Sequence, residues 1–94
     1  YFIGACLGNT GYVRERDKEF SLRNIPQKEL LDNVEKTKTV VIETLQKLSE
    51  SDFDKEYPEG KWREKTTTGF LLILFCTHLS YHLGQINYHR RLLQ

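Results

Sequence analysis

The stretch Phe70-Leu71-Leu72-Ile73-Leu74-Phe75-Cys76-Thr77-His78-Leu79-Ser80-Tyr81-His82-Leu83-Gly84-Gln85-Ile86-Asn87-Tyr88-His89-Arg90-Arg91-Leu92-Leu93 decides the fold. It reads as one helix over residues 69–93, with Thr66, Thr67 and Thr68 before it as N-cap candidates. At about 1.5 Å of rise per residue it is roughly 36 Å long, the length of a bundle helix. Setting His78 to zero and turning about 100° per residue places His82 at about +40°, Gln85 at about −20° and His89 at about +20°. Leu71, Leu74, Phe75 and Leu92 fall on the same stripe, so the polar residues continue an apolar, inward face. The expectation is an unbroken helix with His78, His82 and Gln85 facing a bundle interior. Leu72, Cys76, Leu79 and Leu83 form a second stripe at about +100° to +160°. A helix apolar on two sides is sandwiched between neighbours, so this second stripe is expected to be covered by a further helix or by a second copy of the chain.

Buried imidazoles need partners for both ring nitrogens. Two histidines four residues apart lie one turn apart on one face and can share a metal ion. Taken alone the spacing more often marks core histidines hydrogen-bonded to neighbouring helices. Leu79 follows His78, so the glutamate of the zinc-protease motif is missing and peptide hydrolysis of that kind is excluded. His89 begins about 16 Å along the axis from His78, too far to share an ion with it. With Arg90 and Arg91 it complements the negative end of the helix dipole; binding of an anionic substrate is the alternative. Cys76 points about 160° away from His78.

Working outward, residues 50–68 form a polar connection, with a turn at Tyr57-Pro58-Glu59-Gly60 and Trp62 as a lid on the bundle end rather than a ligand platform. Before it, Pro26 suits the first turn of a helix over 26–49. Leu30, Val34, Thr37, Val41, Leu45 and Leu48 make its apolar stripe, and Asp32–Lys36 and Glu43–Lys47 are acid-first pairs on its outer face. That helix is scaffold. Residues 8–25 read as a solvated connector: Gly8-Asn9-Thr10-Gly11 has the chemistry of a helix stop and turn, and Val13 to Glu19 alternates in charge. Residues 1–7 read as the end of a helix entered midway. Ile3-Gly4-Ala5-Cys6 only faintly resembles a lipoprotein cleavage box, lacking a basic stretch before it. No strand pattern emerges, and the class is all-α.

Ninety-four residues make one domain at most. With 38% hydrophobic and 29% charged residues and a net charge of +1, nothing argues for bulk attraction to nucleic acid or anionic lipid. Cys6 and Cys76 match no disulfide framework, so a reducing, cytoplasmic setting is the default. The longest apolar run, Phe70 to Cys76, is too short to span a bilayer.

The string from His78 to Leu93 resembles the terminal helix of DinB/YfiT-like proteins. Leu7-Gly8-Asn9-Thr10-Gly11-Tyr12-Val13-Arg14-Glu15-Arg16-Asp17, with Glu19-Phe20-Ser21, resembles the connector after the second helix in one branch of that family. The resemblance implies an up-down-down-up four-helix bundle, often a homodimer, with the first helix and part of the second lying upstream of Tyr1. It implies a divalent metal, zinc or nickel, held by three histidines: His78 and His82 here, and a third from the second helix. No histidine precedes His78; should none lie upstream, Cys6 is the substitute ligand. Characterised relatives include metal-dependent transferases that use low-molecular-weight thiols such as bacillithiol. Two functions therefore stand side by side. One is a metal-dependent thiol transferase in which His78 and His82 are ligands and Gln85 orients a ligand or substrate. The other is a non-catalytic, dimerising bundle with a degenerate metal site. Binding of nucleic acid would rest on Arg90-Arg91 alone.

Overall fold

The computed structural model describes residues 1–58 and 65–94. Among them are three α-helices, α1 (Arg16–Ser21), α2 (Gln27–Lys47) and α3 (Thr68–Leu92), a 3-10 helix (Glu50–Asp54) and no β-strand. The all-α class expected from the sequence is therefore found. Trp62 and the turn from Glu59 onward lie outside the described residues. The chain divides into two compact units, Tyr1–Ser49 and Glu50–Gln94.

In the first unit α2 follows Pro26, whose φ of −58° is already set for a helix start. The helix ends where Leu48 turns extended, close to the expected boundary. Its covered face is narrower than the apolar stripe suggested. Val40, Val41 and Leu48 are half-buried and Thr44 is buried, whereas Leu30 and Val34 are exposed. What covers that face is the start of the chain. The helix expected over residues 1–7 is instead a run of hydrogen-bonded turns. Ala5 N and Leu7 N donate to carbonyls four residues back, and Cys6 N and Gly8 N to carbonyls five back. Mixed four- and five-residue bonds of this kind do not propagate as a regular helix.

Gly4 and Gly8 let this segment press onto α2. A Cβ on Gly4 would lie 2.6 Å from Val40 Cγ1, and one on Gly8 would lie 2.5 Å from Thr44 Oγ1. Two glycines four residues apart thus seat two β-branched residues one helical turn apart. Asn9 (φ 50°) and Gly11 (φ 78°) then turn the chain away in left-handed conformations.

The connector that follows is more structured than its charge alternation implied. It holds α1, none of whose residues is buried. Arg14 grips Glu19 through two bonds, Nε to Oε1 at 2.8 Å and Nη2 to Oε2 at 3.0 Å. Its guanidinium also lies over the rings of Tyr1 and Phe2, 5.7 and 5.5 Å from their centroids. The hydrogen bond from Arg14 holds the Glu19 carboxyl below the usual carboxylate range. Arg23 Nη1 donates to the carbonyls of Phe20 and Leu22, closing the end of α1.

In the second unit, the beginning of α3 is clamped. Thr67 caps it, its side chain accepting from Phe70 N at 3.2 Å. Tyr57 N donates to Thr66 O and Thr68 N to Lys55 O, so the approach to the helix is bridged to the chain just after the 3-10 helix. Gly69 permits close contact with Phe53, whose carbonyl oxygen would stand 3.1 Å from an added Cβ. Among the described residues Leu71 and Tyr57 are the buried apolar ones, 1% and 3% exposed, and the Tyr57 ring meets Phe75 edge-on at 6.0 Å.

Beyond Phe75 every residue of α3 is exposed. The helix is unbroken, as expected, but His78, His82 and Gln85 do not face an interior within this chain. The physical reason is that no described residue packs over this part of α3. The element of this unit packed against α3 is the short 3-10 helix, which reaches only the first turns. Leu79, Leu83, Ile86 and Leu92 are exposed with them. By length and composition α3 is also long and apolar enough to cross a membrane, its best 18-residue window having a mean hydropathy of 1.3. The seven-residue run Phe70 to Cys76 understated this because apolar residues recur to the end of the helix. The core helix of a bundle meets the same criterion.

Candidate metal-ligating face of the last helix

The two histidines picked out by their spacing are in direct contact. His78 and His82 turn their rings edge-on, centroids 4.4 Å apart at an interplanar angle of 88°, and bring their Nε2 atoms to 2.9 Å. This follows from helix geometry: side chains four residues apart lie over one another, and both rings here reach the same point beside the axis. Two nitrogens each about 2.0–2.1 Å from a shared ion stand about 2.9 Å apart at a right angle and about 3.4 Å apart at the tetrahedral angle. The observed separation matches the right-angle value and is shorter than the tetrahedral one.

Gln85 joins the pair. Its Oε1 lies 2.9 Å from His82 Nδ1, and its Nε2 donates to the Tyr81 hydroxyl at 3.2 Å. The Tyr81 ring also meets the His82 ring edge-on, centroids 5.6 Å apart. Tyr81 was not singled out in the sequence, although its place four residues before Gln85 puts the two within reach on a helix. The Gln85 carboxamide is therefore engaged with protein atoms at both ends.

His89 is exposed in the last turn with Arg90 and Arg91, where positive charge offsets the helix dipole. Arg90 Nη2 is held by Asn87 Oδ1 at 3.0 Å. No group of three His, Cys, Asp or Glu side chains able to hold a metal is assembled among the described residues, and that includes Cys6 and Cys76. The first unit has an open groove of about 700 Å³, lined by Tyr1, Phe2, Tyr12, Lys36 and Val41 among others, which likewise holds no such group.

An all-helical protein with paired imidazoles on one face of its last helix is the class these features define. Residues 7–94 match the model of a family described as "Protein of unknown function (DUF1572)", and the chain belongs to that family. No curated protein and no solved structure matches it.

Proposed function

We propose that this chain supplies two ligands, His78 and His82, of a divalent-metal site in a DinB/YfiT-like four-helix bundle. The observation that carries the reading is the convergence of the two Nε2 atoms to 2.9 Å. Two further points support it. The family is grouped with the DinB/YfiT-like proteins. The face that bears the histidines is also the one the second unit buries at Leu71 and half-buries at Phe75, so whatever extends that core brings side chains up to the pair. A third ligand is needed, for which the resemblance implies a histidine of the bundle's second helix. Imidazole ligands suit zinc and nickel.

His78, His82 and the third imidazole would hold the metal, which would supply Lewis-acid activation of a thiol as the nucleophile. The proposed activity is transfer of a low-molecular-weight thiol in the cytoplasm by a homodimer, without nucleic acid or membrane as a partner. The alternative is a non-catalytic dimerising bundle with a degenerate site.

Elemental analysis of the full-length protein purified under metal-replete conditions separates the two; the 94-residue chain alone, with two ligands, should bind weakly. The wild type should carry stoichiometric zinc or nickel, and His82→Ala should lose it with helix content unchanged. His89→Ala should keep it, since its side chain starts about 16 Å from that of His78. Retention should weaken in acid, because only neutral imidazole coordinates. A metal-free wild type favours the non-catalytic bundle, and loss of metal in His89→Ala refutes the ligand assignment.

A further inference from the structure

We propose that the groove of the first unit, between the start of the chain and α2, binds a small aromatic carboxylate. The site lies in the other unit from the histidines and does not rest on the metal reading. Asn33, Lys36 and Thr37 line the groove from α2, three and four residues apart and so on one side of the helix. The spacing in the sequence put Lys36 on an outer face in a pair with Asp32, but that pair is not formed. Among the described residues Asn33, Lys36 and Thr37 make no side-chain hydrogen bond or ion pair. Their neighbours on the helix do: Lys38 pairs with Glu35 at 2.7 Å, and the Thr39 hydroxyl donates to the Glu35 carbonyl at 3.1 Å. An ammonium, a carboxamide and a hydroxyl are thus free to donate to an anion from one place in the groove. One turn further along, about 6 Å by helix rise, half-buried Val40 and Val41 line it instead.

Charge and shape select the ligand. Glu19 is the one acid among the described lining residues, and both its oxygens are taken up by Arg14. That pair is neutral as a unit, so Lys36 supplies the uncompensated charge of the groove. A single ammonium matches a monoanion, and a carboxylate can accept from Lys36, Asn33 and Thr37 together. The body of the ligand has the rings of Tyr1, Phe2 and Tyr12 and the two valines against it, surfaces that suit a flat aromatic group. The volume of about 700 Å³ falls within the roughly 300–1,000 Å³ usual for small-molecule sites.

Titration of the full-length protein with naphthylacetate, beside its uncharged amide naphthylacetamide, tests this, with binding followed through the amide signals of the protein. The acid should bind about tenfold more tightly than the amide, the order expected of a charge-assisted hydrogen bond. The signals that move should be those of Phe2, Tyr12, Lys36 and Val41. Lys36→Gln should bring the acid down to the affinity of the amide. Lys28→Gln, which removes a lysine of the same helix outside the groove, should leave the preference intact. Thr37→Trp fills the groove from an exposed position and should weaken both probes about tenfold or more. Circular dichroism should show all variants as helical as the wild type, so that a folding defect is not mistaken for loss of the site. Equal affinity for acid and amide, a preference that survives Lys36→Gln, or shifts centred on α3 overturns the assignment. Failure of both probes to bind overturns it too, since the groove is then filled by preceding chain or a second copy.

Discussion

The first two turns of α3 and the five that follow belong to one helix in different surroundings. From Thr68 to Phe75 the helix is capped by Thr67, bridged to the residues after the 3-10 helix and packed on Tyr57. From Cys76 onward it carries the candidate site, and no described residue of it is even half-buried. The same apolar stripe runs through both halves, so amphipathic pattern alone does not bury a face; burial needs an opposing element. The comparison also separates two kinds of histidine reading. A core histidine is held by neighbours from other elements, whereas His78 and His82 are held by each other, Gln85 and Tyr81, all from α3 itself.

The largest expected effect lies in the clamped half. Leu71 is the one large side chain fully buried among the described residues. Leu71→Ala should cost about 2–5 kcal/mol, from lost transfer energy and the cavity left behind. Chemical denaturation measures it. A loss below about 1 kcal/mol would mean that the second unit does not depend on this contact and that the clamp is not what organises α3.

Leu79→Asp makes the opposite probe, in the exposed half. Leu79 is 60% exposed, so in an isolated chain the substitution should change stability by no more than about 0.5 kcal/mol. If Leu79 and Leu83 form the homodimer surface proposed above, an unpaired charge there is buried on association and should convert dimer to monomer. Light scattering across a dilution series reads the difference. A wild type that is monomeric at all concentrations would refute the dimer.

Much of this division was open to reading in the residues, and some was not. The limits of α2 and α3 followed from Pro26, the threonines before Gly69 and the apolar spacing, since caps and periodicity are local. The contact between His78 and His82 was local too, being fixed by one turn of helix. What the sequence did not disclose were contacts between segments distant along the chain. The stripe of α2 predicted Leu30 and Val34 inside, yet the covered face is set by where Gly4 and Gly8 meet Val40 and Thr44. The connector is exposed, as its alternating charges implied, but Arg14 reaches back over Tyr1 and Phe2, a contact that no spacing in the sequence encodes. Gln85 was singled out as orienting a ligand or substrate, and its contacts with His82 and Tyr81 were not foreseen.

A smaller effect is expected at the cap. Thr67→Ala removes the acceptor for Phe70 N and should cost about 0.5–2 kcal/mol. Amide exchange should report the loss at Phe70 and its neighbours and leave the amides from Cys76 onward unchanged. Exchange that rose uniformly along α3 would mean that the two halves form one cooperative unit.

The smallest effect has the opposite sign, and it comes from the two glycines of α3. A Cβ added at Gly69 would meet Phe53 O at 3.1 Å and Phe53 Cβ at 3.3 Å, whereas one added at Gly84 meets nothing within 4 Å. Glycine inside a helix costs roughly 0.5–1 kcal/mol relative to alanine through lost backbone entropy. Gly84→Ala should therefore stabilise the protein by about that amount, while Gly69→Ala should lose the gain to crowding against Phe53. Thermal melts of the two variants, run beside the wild type at several protein concentrations, make the comparison. At about −120° from His78 by helix rotation, Gly84 lies on neither the histidine stripe nor the stripe of Leu79 and Leu83. A stabilised Gly84→Ala is thus expected even if those two stripes are covered by partners. A destabilised one would mean that a third side of the exposed half is packed closely enough to require the glycine, and the contrast between the two halves of α3 would then hold only for the isolated chain.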